Sequence, residues 1–137
     1  MREMGTWPRM PRVLVVEDNV DIGWLLCHAL RSAGWTTDLA HRGDLALERL
    51  ARPPLPDLVV LDYRMPELTG EDVLRAIRVH PQLSDLPIIL CSADGPRHLP
   101  ADLRSMVSAV VDKPFTIAEV VTAASAAIER PETPATA

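Results

Sequence analysis

Apolar and polar positions along the chain follow two periods. Val13-Leu14-Val15-Val16, Leu58-Val59-Val60-Leu61, Ile88-Ile89-Leu90-Cys91 and Ala109-Val110-Val111 are short unbroken apolar runs. Runs of this length with no polar face suit strands buried on both sides of a parallel sheet. Thr36-Thr37-Asp38-Leu39 is a weaker pattern, but it sits where a further strand is needed. Between the runs the period lengthens to about 3.6. Ile22, Leu25, Leu26, Ala29, Leu30 and Ala33 form one stripe, predicted to face a core and to stop at Gly34. Ile117, Val120, Val121, Ala124 and Ile128 form another, with Thr116 or Pro114 near its start and Pro131 beyond its end. Leu45 to Ala51 and Glu71 to Val79 predict shorter helices. Between Gly95 and Val107, Pro96 and Pro100 limit where a helix can begin, and Pro100 is expected as its first residue.

Five strand–helix units in alternation predict an α/β fold, a doubly wound five-stranded parallel sheet with flanking helices. The chain of 137 residues suits one such domain. Residues 1–11 read as a flexible leader, 12–130 as the domain, and 131–137 as a disordered tail or the start of a linker.

Composition narrows the class. With 47% hydrophobic and 24% charged residues, wholesale disorder is excluded. The net charge of −5 comes from 14 Lys+Arg against 19 Asp+Glu, which speaks against a nucleic-acid partner. No apolar run approaches the roughly 18 residues of a membrane span, and no signal-peptide pattern opens the chain. A cytoplasmic protein with no membrane insertion is expected. Cys27 and Cys91 lack a CxxC or Cys/His setting and are expected to be free, buried thiols. His28, His41, His80 and His98 are dispersed without metal-ligand spacing and are expected at or near the surface. Trp24 and Trp35 are expected to pack against the core, with a docking contact as the lesser reading of Trp24.

The strand endings carry the chemistry. In open α/β sheets, ligands sit outside the carboxyl ends of the strands. Glu17 and Asp18 follow the first strand, Asp62 ends the third, Ser92 ends the fourth and Lys113 follows the fifth. Singly, each has a plainer role: turn caps for Asp62 and Ser92, a helix-dipole pair for Glu17 and Asp18, a solvated lysine for Lys113. Asn19 or Asp18 also suits the cap of the first helix. Together they put three carboxylates, a hydroxyl and an ammonium in one cleft. Carboxylates so placed repel, and Mg²⁺, which takes oxygen ligands, relieves the repulsion. The set describes phosphoryl transfer to a carboxylate.

At this point the chain resembles the receiver domain of two-component response regulators. The resemblance rests on Val-Leu-Val-Val-Glu-Asp-Asn (13–19), Leu-Asp-Tyr-Arg-Met-Pro-Glu-Leu-Thr-Gly (61–70), Cys-Ser-Ala (91–93) and Asp-Lys-Pro-Phe (112–115), and it covers roughly residues 12–130. It implies a flavodoxin-like sheet with strand order 2-1-3-4-5. It also implies that Asp62 accepts a phosphoryl group from a sensor histidine kinase or phosphotransfer protein. Asp18 would bind Mg²⁺ directly and Glu17 through water, joined by Asp62 and the backbone carbonyl of Arg64. Lys113 would pair with the phosphoryl oxygens, and Ser92 would turn inward to them. Ala93 would leave the entrance open, Met65-Pro66 and Gly70 would shape the loop, and a cis bond would precede Pro114.

Two positions depart from the family pattern. Val110 stands three residues before the lysine, where Tyr or Phe is usual, so the coupled movement of a hydroxyl and a ring cannot take its usual form. Arg64 places a long cation beside the acceptor. The reading favoured by the resemblance is a stand-alone phosphorylation switch acting on an unknown downstream protein through the fourth helix, fifth strand and fifth helix. The alternatives are a phosphorylation-independent module, such as a homodimer, or the N-terminal part of a larger regulator. No turnover beyond slow self-dephosphorylation is expected. An aspartate-nucleophile phosphatase needs an acid where Arg64 stands, and an FMN site needs a hydroxyl- and glycine-rich loop where Glu17-Asp18-Asn19 stands.

Overall fold

The computed structural model describes residues 10–93 and 99–129. The expected tail, Trp7, His98 and most of the expected leader lie outside them. The elements run β1 (Arg12–Val16), α1 (Val20–Ser32), β2 (Thr36–Ala40), α2 (Gly43–Leu50), β3 (Leu58–Asp62), α3 (Gly70–Val79), β4 (Ile88–Ser92), α4 (Ala101–Arg104), β5 (Ala109–Asp112) and α5 (Ile117–Glu129). The five strands form one parallel sheet in the order β2-β1-β3-β4-β5. The unbroken apolar runs are the reason. Every residue of β3 and β4 is buried, so both faces of those strands need cover.

Alternation along each strand sorts the core into two layers. Leu14, Val16, Val59, Leu61, Ile88 and Leu90 meet Ala46 and Leu50 of α2, Val73, Leu74 and Ile77 of α3, and Leu103 of α4. Val13, Val15, Leu58, Val60, Ile89 and Cys91 meet Leu26, Cys27 and Leu30 of α1 and Val120 and Ala124 of α5. Both cysteines are free and buried. His28 and His41 are exposed and His80 is half-buried.

Helix ends follow local chemistry. Asn19 rather than Asp18 caps α1, its Oδ1 accepting from Ile22 N at 3.1 Å. Thr69 and Asp72 close a capping box at α3. Thr116 and Glu119 exchange reciprocal bonds at the start of α5.

Three expectations are corrected. On α1 the buried face is Gly23, Leu26, Cys27 and Leu30, whereas Leu25 is 57% exposed and Ala33 lies at the surface. Trp24, expected to pack, is 59% exposed; Trp35 does pack, half-buried, against the α1/α5 core. The reason is Gly23. A Cβ there would lie 2.7 Å from Leu39 Cδ1, so α1 settles onto β2 along its glycine edge, and this rolls Trp24 and Leu25 outward. The third correction concerns Pro100, which is the N-cap of α4 and not its first helical residue. α2 and α3 begin at Gly43 and Gly70, slightly ahead of their apolar periods. Among the described residues no helix is long and apolar enough to cross a membrane.

Candidate functional site

Parallel strands bring their carboxyl ends to one edge, and the register carries Asp62 there beside Cys91, with Ser92 opposite Asp112. Glu17 continues β1 by one residue, its N–H donating to Ala40 O at 3.0 Å. Asp62, Glu17 and Ser92 are 2%, 3% and 1% exposed, while Asp18 is open to solvent. Lys113 reaches in from the end of β5, its Nζ 2.8 Å from Asp62 Oδ1. Its backbone N–H donates to Ser92 O at 2.9 Å, which ties the β5 end to β4. The Lys113–Pro114 bond is cis, as the resemblance implied.

The carboxylates converge. Glu17, Asp18 and Asp62 each present an oxygen within 4.8 Å of the others. Burial, then the charge of Asp62, pushes Glu17 up to about 7. Burial also raises Asp62, outweighing the hydrogen bond and charge of Lys113. Burial alone would lower Lys113, but Asp62 and then Glu17 carry it above its ordinary value. Three carboxylates thus face one ammonium. Asp62 Oδ2 is buried with no hydrogen-bond partner among the described residues. An orphaned buried oxygen beside two further carboxylates is an all-oxygen donor set, and it fits a hard divalent cation such as Mg²⁺.

The loop after Asp62 is held close to it. Arg64 N–H points at Asp62 Oδ1 from 3.4 Å, and the Arg64 side chain is at the surface. Met65 is buried. Gly70 N–H donates to Tyr63 O at 3.0 Å, and a Cβ on Gly70 would run into Asp62 O and lie 2.6 Å from Tyr63 Cα. Only glycine allows α3 to start so near Asp62. Gly43 has a similar part at the start of α2, where a Cβ would lie 2.7 Å from Leu68 O of the same loop. No chemical signal marks Gly43 in the sequence; its place at the opening of a helix is the one hint. Ala93 and Lys113 also border an apolar groove of about 600 Å³ with Ile22, Leu25, Phe115 and Ile117. Val110 pairs with Leu90 and packs, half-buried, against the core layer that holds Leu90 and Leu103.

A parallel 2-1-3-4-5 sheet with buried acids at its carboxyl edge defines a class, and comparison with known proteins agrees. Residues 13–125 match the family model of the response regulator receiver domain. The chain is 33% identical over 124 residues to the phosphate regulon transcriptional regulatory protein PhoB of Rhizobium meliloti, covering 88% of this chain and 53% of that protein. It is 36% identical over 120 residues to the response regulator MprA of Mycobacterium ulcerans, covering 87% and 50%. The receiver domain of Francisella response regulator 1452 superposes with a TM-score of 0.77 at 30% identity, over 88% of this chain and 98% of that one. The chain belongs to the response regulator receiver family. It spans about half the length of those two curated relatives.

Proposed function

We propose that this domain is a phosphoacceptor switch. Asp62 attacks the phosphorus of a phosphohistidine on a sensor kinase or phosphotransfer protein. An O–P bond forms, the N–P bond breaks, and the imidazole leaves and takes up a proton. The observation that carries the reading is Asp62 itself, buried, with Lys113 on one oxygen and the other without a partner. A buried carboxylate left half-satisfied is costly unless the site has a use for it.

Lys113 holds Asp62 in place and stays beside the oxygens that arrive with the phosphoryl group. Ser92 lends a hydroxyl donor from the end of β4. Glu17, Asp18, Asp62 and the Arg64 carbonyl are the residues that would hold Mg²⁺, which when bound supplies charge neutralisation for the transferring group. Arg64 stands where an aspartate-nucleophile phosphatase needs its second acid, so self-dephosphorylation is the expected limit of the domain's activity. The domain spans 12–130 in this reading and acts in the cytoplasm, and α4, β5 and α5 present the surface that a downstream protein reads. The curated relatives are about twice as long, which supports the alternative that the whole protein is a larger regulator acting through a further domain.

The test is Mg²⁺-dependent labelling by radioactive acetyl phosphate. Incorporation into the native chain and its loss in Asp62→Asn are expected; undiminished labelling of Asp62→Asn defeats the assignment. Val110 favours a second reading, a module that binds or dimerises without phosphate. Equal partner binding before and after phosphorylation would select it.

A further inference from the structure

An apolar groove of about 600 Å³ lies between α1 and the β5–α5 junction. α1 contributes Ile22 and Leu25, and the junction contributes Pro114, Phe115 and Ile117. Its origin is local. The glycine edge at Gly23 rolls Leu25 outward, and α5 opens on Ile117, so both helices bring apolar side chains to the hollow. Two further lining residues tie the groove to the carboxyl edge of the sheet. Ala93 directly follows Ser92, and Lys113 reaches Asp62 Oδ1 at 2.8 Å. Lys113 is the one charged residue lining the groove among those described. A hollow of this volume, apolar along its walls and cationic where it meets the site, has the size and polarity of a small-molecule pocket.

We propose that this groove holds the apolar chain of an acyl phosphate that donates its phosphoryl group to Asp62, so that the domain takes longer-chain acyl phosphates in preference to acetyl phosphate. The proposal rests on the reading of Asp62 as phosphoacceptor. Such a donor has two unlike ends. The phosphoryl end is anionic and belongs beside Lys113; the acyl end is apolar and is bonded to phosphorus through the oxygen that leaves. In the transfer an Asp62 oxygen bonds to phosphorus and the bond from phosphorus to the acyl oxygen breaks. The carboxylate departs with that electron pair, and no proton moves. Attack and departure lie roughly in line, so the acyl oxygen stays on the far side of phosphorus from Asp62 and the chain leads outward. Ala93 offers no more than a methyl group on that path, which leaves the chain room to reach the groove. An acetyl group ends at once and leaves the groove in water. A hexanoyl chain covers part of Ile22, Leu25, Phe115 and Ile117.

The chain makes the same contacts before and during transfer, so its burial raises the second-order rate constant for labelling. Straight-chain carboxylates leave with nearly equal basicity, so the chemistry is constant along a series. The experiment compares acetyl, butyryl and hexanoyl phosphate with Mg²⁺, the phosphorylated chain being counted by intact-mass measurement. A methylene taken fully out of water is worth about fourfold in binding; in this half-open groove about twofold per methylene is expected, and so about tenfold or more from acetyl to hexanoyl. Leu25 is 57% exposed, so the fold tolerates Leu25→Asn, which should cut the ratio of hexanoyl to acetyl rates severalfold. Trp24→Ser alters an exposed residue of the same helix outside the groove and should leave that ratio at its native value. A flat series, with Asp62→Asn unlabelled, overturns the groove assignment, leaves the hollow to a protein partner and keeps the phosphoacceptor reading. A ratio lowered as much by Trp24→Ser as by Leu25→Asn also overturns it, because the chain then rests on the outer face of α1. Labelling of Asp62→Asn as fast as the native chain defeats the phosphoacceptor reading and the proposal with it.

Discussion

Glu17 and Asp62 hold their protons more tightly folded than unfolded, and this gives the metal-free protein a definite pH response. Glu17 titrates ordinarily at 4.5 and here at about 7, so between those values the folded state binds more protons than the unfolded chain. Stability then falls as pH rises through that window, and the raised pKa of Asp62 acts in the same direction. Thermal melts without metal should show a higher Tm at pH 5 than at pH 8, and millimolar Mg²⁺ should narrow the difference. Cys91 makes a second case. Burial, then the charge of Asp62, pushes its thiol up to about 12, so the native protein should resist alkylation there at neutral pH until it is unfolded, as intact-mass measurement would report. Glu67 is a third, with φ of 66° in the loop after Asp62. Glu67→Val places a β-branched side chain in the left-handed region and should cost about 1–2 kcal/mol in denaturant unfolding.

Among the elements, α3 is the one most closely tied to the site. Its first residue meets the Asp62–Tyr63 backbone, its apolar face enters the core, and Arg75 reaches Asp102 of α4. Gly70→Ala drives a methyl against Asp62 O and Tyr63 Cα, and either the loop or the helix has to give way. A loss of about 1–3 kcal/mol is expected from the overpacking, together with slower acetyl-phosphate labelling of Asp62. Thr69→Ala removes the capping box without touching the site. It should cost about 0.5–2 kcal/mol and leave the labelling rate unchanged, so the pair of variants separates helix stability from the geometry around Asp62.

For the molecule as a whole, the sheet couples stability to the site because the strands that fill both cores are the strands that end in Asp62 and Ser92. Leu61 is fully buried in the α2/α3/α4 layer, immediately before Asp62. Leu61→Ala should lower unfolding free energy by about 2–5 kcal/mol through the cavity it leaves. Ile89→Ala, in the other layer and away from Asp62, should cost a similar amount while keeping more of the labelling activity. Equal losses of labelling in both would mean that stability alone governs the site.

The strands, their parallel arrangement and the acids at their ends were legible because those signals are local: an unbroken apolar run has to be covered on both faces, and a polar residue that ends it has to emerge at the sheet edge. Helix caps were legible in part for the same reason, Asn19 and Thr116 being recognisable beside the helices they open. The strand order came from the likeness of four motifs to a known family and not from periodicity. What lay outside the sequence pattern were the consequences of one element meeting another. Gly23 is silent in any hydrophobic period, yet it decides how α1 lies on β2 and so turns Trp24 and Leu25 to solvent. Gly43 and Gly70 matter through the backbone of a loop that only the assembled fold brings to them. The pairing of Arg75 with Asp102 and the hold of Arg78 on Met106 cross between elements far apart in the chain. Sequence by itself determined which side chains the carboxyl edge offers; the tertiary structure decided which of their oxygens remain without a partner and what holds the helix beside them.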